Sequence, residues 1–247
     1  MGEVIIEFKN FKKSFGSKVV HQGVTFTVEK GQCVGLIGGS GSGKSVILRS
    51  IIGLEKPDTG SVKVFGEDIS QWNDKQLLNI RKKIAYAFQG GALFDSMTVF
   101  ENLAYPLKEH TEIPGELIAK KIKDVLEDFG LSGNDSLYPA SLSGGMQKRL
   151  GIARSIIMGP PVILYDEPTA GLDPYNTRKI QEMIIRLKSK GITSILVTHD
   201  MPSAFAVCDK IALLYNGVIA VEGTKTDLDS AKGSLIYNFI NGEQVSS

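Results

Sequence analysis

Gly38-Gly39-Ser40-Gly41-Ser42-Gly43-Lys44-Ser45 lies between two apolar runs, Val34 to Ile37 before it and Val46-Ile47-Leu48 after it. The first run reads as a strand and the second as the opening of a helix, so the glycines fill the turn from one to the other. Gly38, Gly41 and Gly43 free the backbone to curl until successive N–H groups point into one concavity. A helix starting near Lys44 adds the positive end of its dipole, and Lys44 adds a formal charge that reaches outer phosphates. Gly39, Ser40, Ser42 and Val46 complete the cradle, and Ser45 offers a hydroxyl to magnesium. The alternative is an ordinary glycine-rich surface turn. It leaves unexplained why every fixed position of Gly-x-x-x-x-Gly-Lys-Ser is filled between strand and helix. The segment predicts a nucleoside triphosphate site.

With 247 residues, the chain is one large domain or one with a subdomain, at roughly 150 residues per domain. Hydrophobic residues make up 42%, enough for a sizeable core. The 28 Lys and Arg balance 27 Asp and Glu to a net charge of +1. The clusters Lys12-Lys13 and Arg81-Lys82-Lys83 are short, so no basic stripe marks a nucleic-acid partner. Cys33 and Cys208 stand alone in sequence, with neither a Cys-x-x-Cys pair nor a Cys/His cluster. They are expected to be small buried side chains in a reducing compartment rather than metal ligands or a disulfide. Met1-Gly2-Glu3-Val4 lacks a basic-then-apolar signal, and Ile6 departs from the myristoylation pattern. No apolar run approaches the ~18 residues that span a bilayer, and a soluble cytoplasmic protein is expected.

Val4 to Lys9 and Val24 to Val28 alternate apolar and polar residues, as half-buried antiparallel strands do. Cys33 to Ile37 is nearly all apolar, the mark of a strand buried on both faces of a parallel sheet; Val162 to Tyr165 reads as a buried strand and Thr193 to Val197 as a strand. Further strands are expected at Ser61 to Phe65, Ile84 to Phe88, and Lys210 to Tyr215 with Val218 to Val221, the last two joined at Asn216-Gly217. Helices are expected from Lys44 to Gly53, over most of Gly90 to Pro139, from Met146 to Met158, from Pro174 to Lys190, after Met201, and at Leu235 to Ile240. The fold class is α/β: a P-loop core with an N-terminal antiparallel β subdomain and an α-helical subdomain inserted at about residues 90–158, all within a single domain spanning 1–247.

Val162-Ile163-Leu164-Tyr165-Asp166-Glu167 is an apolar strand ending in two carboxylates. Asp166 at the strand's end is placed to hold magnesium, and Glu167 to orient and deprotonate the attacking water. Leu142-Ser143-Gly144-Gly145-Met146-Gln147 opens a helix with a serine and paired glycines. It is either an ordinary capped helix or a second anion-binding terminus. A symmetric head-to-tail dimer gives the second reading a purpose: each Ser143–Gly145 segment covers the nucleotide held by its partner.

Taken in order, the Walker A run, Gln89, Leu142-Ser143-Gly144-Gly145, Asp166-Glu167, Gly171-Leu172-Asp173 and His199 in Val197-Thr198-His199-Asp200 resemble an ABC-type ATPase cassette, and the resemblance covers nearly the whole chain. It implies ATP and Mg²⁺ as ligands and hydrolysis coupled to closing and opening of a dimer. Phe15 then matches the aromatic that stacks on adenine, where the family often has Tyr. Gln89 matches the loop glutamine that touches magnesium and water, Asp173 the aspartate linking the two sites across the dimer, and His199 the switch histidine at the γ-phosphate. Met146 departs from the Gln usual at its position.

Gly90 to Leu107 is rich in large apolar residues without a clean amphipathic period. It either receives a helix from another protein or packs the helical insertion. Continued through Lys108-Glu109-His110-Thr111, the stretch is similar to the ATPase subunits of MCE-associated (Mla/Mkl-type) lipid transporters, as is Met146. That resemblance implies a multi-spanning permease and an MCE-domain lipid-binding protein as partners, with a small STAS-domain subunit in some systems, and a position on the inner face of the cell membrane. A small-solute importer, such as one for an amino acid, shares most of the motifs. A soluble ATPase of DNA repair or translation would carry a long coiled coil or paired cassettes, and a P-loop kinase gives Ser143–Gly145 no role.

Overall fold

The computed structural model of the protein describes residues 2–229 together with Ile236 and Phe239. In chain order it places β1 (Val4–Phe15), β2 (Lys18–Glu29), β3 (Cys33–Ile37), α1 (Lys44–Ile51), β4 (Thr59–Val64), β5 (Glu67–Asp68), α2 (Asp74–Arg81) and β6 (Ile84–Ala87). The helices α3 (Val99–His110), α4 (Gly115–Asp128) and α5 (Gly144–Ile156) follow without an intervening strand. The chain then alternates through β7 (Val162–Asp166), α6 (Pro174–Ser189), β8 (Thr193–Val197), α7 (Met201–Val207), β9 (Lys210–Tyr215) and β10 (Val218–Gly223). The C-terminal helix expected at Leu235 to Ile240 lies outside the described residues except for Ile236 and Phe239, which are helical.

Two sheets form the frame. One is antiparallel in the order β2-β1-β4-β5, and the other runs β10-β9-β3-β8-β7-β6. Strands β9, β3, β8, β7 and β6 pair in parallel, and β10 closes one edge antiparallel. Every residue of β3 and β8 is buried, in keeping with the apolar run of β3, while β8 also buries the polar Thr193 and Ser194. One face of the parallel sheet, α1 and the antiparallel sheet enclose a core built around Phe8, Phe11 and Phe26, with Phe8 stacked on Phe26 at 5.0 Å. The other face packs against α3, α4, α5 and α6 through Leu103, Ile122, Leu150 and Ile180.

The β-hairpin is longer than the clean alternation of its sequence. A register shift between Phe8 and Phe11, with Asn10 at φ 48°, changes which residues face inward and hides the period of two. Residues Gly90 to Thr98 form turns rather than helix. The buried Asn102 side chain accepts from Phe94 N–H at 2.9 Å and donates to the carbonyls of Phe94, Met97 and Thr98, which fixes that turn. Thr98 and Glu101 then start α3 as a reciprocal cap. Within the apolar stretch Val99, Leu103 and Leu107 pack into the core, whereas Phe94 and Tyr105 stay exposed. Cys33 and Cys208, isolated in sequence, meet with their Sγ atoms 3.7 Å apart, both as free thiols.

Candidate active site

The parallel sheet brings three C-terminal strand ends together. The chain leaves β3 at Ile37, β7 at Asp166 and β8 at Val197, and Asp166 pairs directly with Val197. Crevices at such ends are where open α/β sheets hold ligands. A cavity of about 470 Å³ opens there, walled by the loop before α1, by Asp166 and Glu167, and by Gln89 and His199.

The loop's geometry is that of an anion cradle. Gly43, at φ 95°, is the N-cap of α1, and a Cβ there would lie 2.6 Å and 2.7 Å from Cε1 and Nε2 of His21. At Gly38 a Cβ would meet the Leu214 carbonyl oxygen at 2.5 Å. Lys44 is almost fully buried, and its ammonium donates to the Gly38 and Gly39 carbonyls at 2.8 and 2.9 Å. Burial lowers its pKa below the ordinary lysine value, while the Glu167 and Asp166 carboxylates pull the other way.

Both oxygens of Asp166 are engaged. Ser45 Oγ donates to Oδ1 at 3.2 Å, and the Tyr86 hydroxyl donates to Oδ2 at 2.8 Å. Burial, then Asp166, raises the Tyr86 phenol far above its ordinary value, which keeps it a donor. Glu167 sits at φ 52°, a left-handed conformation that costs about 1–3 kcal/mol in a non-glycine residue. Its N–H bonds to Val197 O at 2.9 Å, and its Oε2 lies 2.9 Å from His199 Nδ1, which therefore carries the proton of that bond. The strain holds a carboxylate over the cavity against a mostly exposed imidazole. Phe15, at the end of β1 and 45% exposed, also lines the cavity, with the Lys13 ammonium 5.1 Å from its ring centroid.

Phe15, Ser40, Gly41, Gly43, Lys44, Ser45, Val46, Gln89, Asp166, Glu167 and His199 therefore share one cavity. Gly38 and Gly39 lie beneath it as the acceptors of Lys44, and Gly39 and Ser42 line an adjoining cavity beside Leu214. Ser143, Gly144, Gly145 and Asp173 do not line the cavity. Ser143 caps α5, its Oγ accepting from Met146 N–H at 3.3 Å. Asp173 caps α6 and is held by the Asn176 side chain at 2.5 Å and its N–H at 3.0 Å, which together lower its carboxyl pKa. Sequence reasoning missed Tyr86, His21 and Asn176. The first two meet the site only through strand pairing or packing beneath the loop, and the third borders Gly145 across helices.

The donors suit a magnesium–nucleotide complex. Among the described residues no cluster of three His, Cys, Asp or Glu could cage a metal alone. One serine hydroxyl beside one carboxylate is what a magnesium ion needs when phosphates and waters complete its octahedron. A phosphate cradle with carboxylates at the next strand end but one is the arrangement of a P-loop nucleoside triphosphatase.

Comparison narrows that class to a family. The sequence profile described as ABC transporter matches residues 21–170, more than half the chain, and the protein belongs to that family. It is 37% identical over 243 residues to the probable ribonucleotide transport ATP-binding protein mkl of Mycobacterium leprae (strain TN), covering 98% of this chain and 70% of that one. It is 34% identical to the intermembrane phospholipid transport system ATP-binding protein MlaF of Haemophilus influenzae (strain ATCC 51907 / DSM 11121 / KW20 / Rd), covering 98% and 92%. The methionine import ATP-binding protein MetN of Carboxydothermus hydrogenoformans (strain ATCC BAA-161 / DSM 6008 / Z-2901) is 44% identical over 83% of this chain but only 61% of its own length. The dimeric post-hydrolysis structure of the ATP-binding cassette MJ0796 bound to ADP and Pi superposes with a TM-score of 0.81 at 32% identity, covering 89% of this chain and 98% of that one. The chain is an ATP-binding, ATP-hydrolysing cassette of an ABC transporter. Among its described residues no helix is long and apolar enough to cross a membrane.

Proposed function

We propose that this cassette powers phospholipid transport, on the cytoplasmic face of a membrane, with a multi-spanning permease and an MCE-domain protein. The observation that carries the lipid assignment is the end-to-end likeness to the phospholipid transport protein, over 98% of one chain and 92% of the other. Met146 and the Gly90–Thr111 stretch support it from the sequence. Amino-acid import is the second reading, favoured by the higher identity to the methionine import protein. The chain spans too little of that relative to rank it first.

In the proposed cycle the loop N–H groups and Lys44 hold the β- and γ-phosphates, and Phe15 stacks on the base. Ser45 and Asp166 would hold Mg²⁺, with Gln89 beside them, and the ion would supply positive charge against that building on the phosphoryl group. Glu167 orients a water and takes its proton, and the His199 Nδ1–H bond keeps that carboxylate aimed. Ser143, Gly144 and Gly145 of a second copy close over the nucleotide, with Asp173 linking the two sites. The helical residues 90–158 move as a subdomain on that closure.

The test is affinity capture of tagged Glu167→Gln protein with Mg·ATP from detergent-solubilised membranes of its source, read by mass spectrometry. A permease with an MCE-domain protein is the expected catch, and a STAS-domain subunit would extend it. A permease with a solute-binding protein would replace lipid by small-solute import. Only soluble or nucleic-acid partners would overturn the transport reading.

A further inference from the structure

Tyr86 has one end in the nucleotide site and the other in the wall of a separate surface groove. It stands in β6 opposite Leu164 of β7, so its side chain lies beside the strand that ends in Asp166. Its hydroxyl donates to Asp166 Oδ2 at 2.8 Å, the atom that Ser45 leaves free. Its ring stacks on Phe88 with centroids 4.3 Å apart and planes 27° from parallel, and Phe88 is 49% exposed. Tyr86, Phe88, Ala92, Pro106 and Arg154 line a groove of about 290 Å³ that shares none of these residues with the nucleotide cavity.

Without a second donor, the carboxylate could turn about its own bonds between Ser45 and the cavity. Two donors on two oxygens fix it, and a hydrogen bond to a charged group is stronger than one between neutral partners. We propose that Tyr86 is a positioning residue for Asp166, setting how strongly the site binds the divalent cation of its nucleotide and tying the Phe88 wall of the groove to that carboxylate. This rests on the metal role proposed for Asp166 above.

The experiment measures the dissociation constant of fluorescent mant-ATP for the full chain, first in EDTA and then in Mg²⁺. The gain on adding Mg²⁺ is the readout. Tyr86→Phe is expected to leave binding in EDTA within about twofold of wild type and to cut the Mg²⁺ gain about fivefold, the share of one charge-assisted bond at a partly wet site. Phe88→Ala should reduce the gain in the same direction and by less. A Mg²⁺ gain kept in full by Tyr86→Phe overturns the inference, and so does a loss equal in EDTA and Mg²⁺, which marks a merely structural role. A gain lost in Tyr86→Phe but untouched in Phe88→Ala upholds the positioning and overturns the tie to the groove. If wild type shows no Mg²⁺ gain, the metal role of Asp166 fails first.

Discussion

His21 should make this cassette lose stability in mild acid, and replacing it should remove the loss. The ring is fully buried, packed 5.5 Å from Phe11 and directly beneath Gly43 of the phosphate loop. Neither ring nitrogen has a hydrogen-bond partner among the described residues. Burial pushes its pKa down to about 4 from 6.5, and the nearby Gly43 backbone offsets only part of that. The folded chain therefore takes up this proton later than the unfolded chain. Between pH 6.5 and 4 the unfolded state binds more protons, so stability falls as pH falls and the penalty is complete below about 4. With those two values, the population factor at pH 5 is roughly 30, or ~2 kcal/mol, against ~0.2 kcal/mol at pH 7. His21→Leu keeps the volume and removes both unpartnered nitrogens, a gain of ~1 kcal/mol or more at pH 7. Its advantage should then widen by ~2 kcal/mol at pH 5. Urea unfolding of both proteins without nucleotide measures this, with agreement between Trp72 fluorescence and circular dichroism checking for a single transition. The difference between the two proteins cancels the acid titration of carboxylates they share. An advantage that stays the same at pH 5 and pH 7, to within ~0.5 kcal/mol, would refute the burial argument.

Three further outcomes follow from the site. Glu167→Gln keeps the shape and removes the base, so phosphate release should fall by at least ~10²-fold with mant-ATP binding retained; turnover within a factor of two of wild type would take Glu167 out of that role. Ser143→Arg should abolish hydrolysis while each chain still binds nucleotide, and full activity would sink the shared-site dimer. In Gly145→Ala the new Cβ would stand 2.3 Å from Asn176, so the urea midpoint should drop by the equivalent of ~1–3 kcal/mol. Gly144→Ala, with nothing within 4 Å, should leave the midpoint in place, and equal behaviour of the two variants would contradict the packing.

What could be read in the sequence follows from how local each signal is. Strand β3 begins and ends where its apolar run does, because burial on both faces writes the strand into composition. The phosphate loop is equally local. The first hairpin is legible only at Val4 to Lys9 and Val24 to Val28, since the shift after Phe8 breaks the alternation that marks a strand. Helix α2 went unseen although Asn73 and Gln76 form a reciprocal cap, a signal the residues do carry. The roles of Tyr86, His21 and Cys208 had no local mark. Tyr86 meets Asp166 across 80 positions and Cys33 meets Cys208 across 175, contacts that exist only once the parallel strands have chosen their order.

The same topology bears on how one chain could serve two nucleotides. Asn176 is in contact with three things at once: its amide holds Asp173, its Oδ1 accepts from Arg149 at 2.9 Å, and its side chain fills the space a Cβ on Gly145 would need. Lys148 adds a bond from α5 to the Ala170 carbonyl. Helix α5 and the segment before α6 are thus fastened to each other within the chain, on residues outside the Lys44 cavity. The contacts in this patch join the start of α5, where Ser143 lies, to the start of α6, where Asp173 lies. In the proposed head-to-tail dimer, two-fold symmetry sets both patches against both cavities in one step. The Gly145 requirement and the Asn176 contacts are then the same fact seen from two helices, which is why Gly145→Ala should disturb Asp173 as well as the helix that carries it.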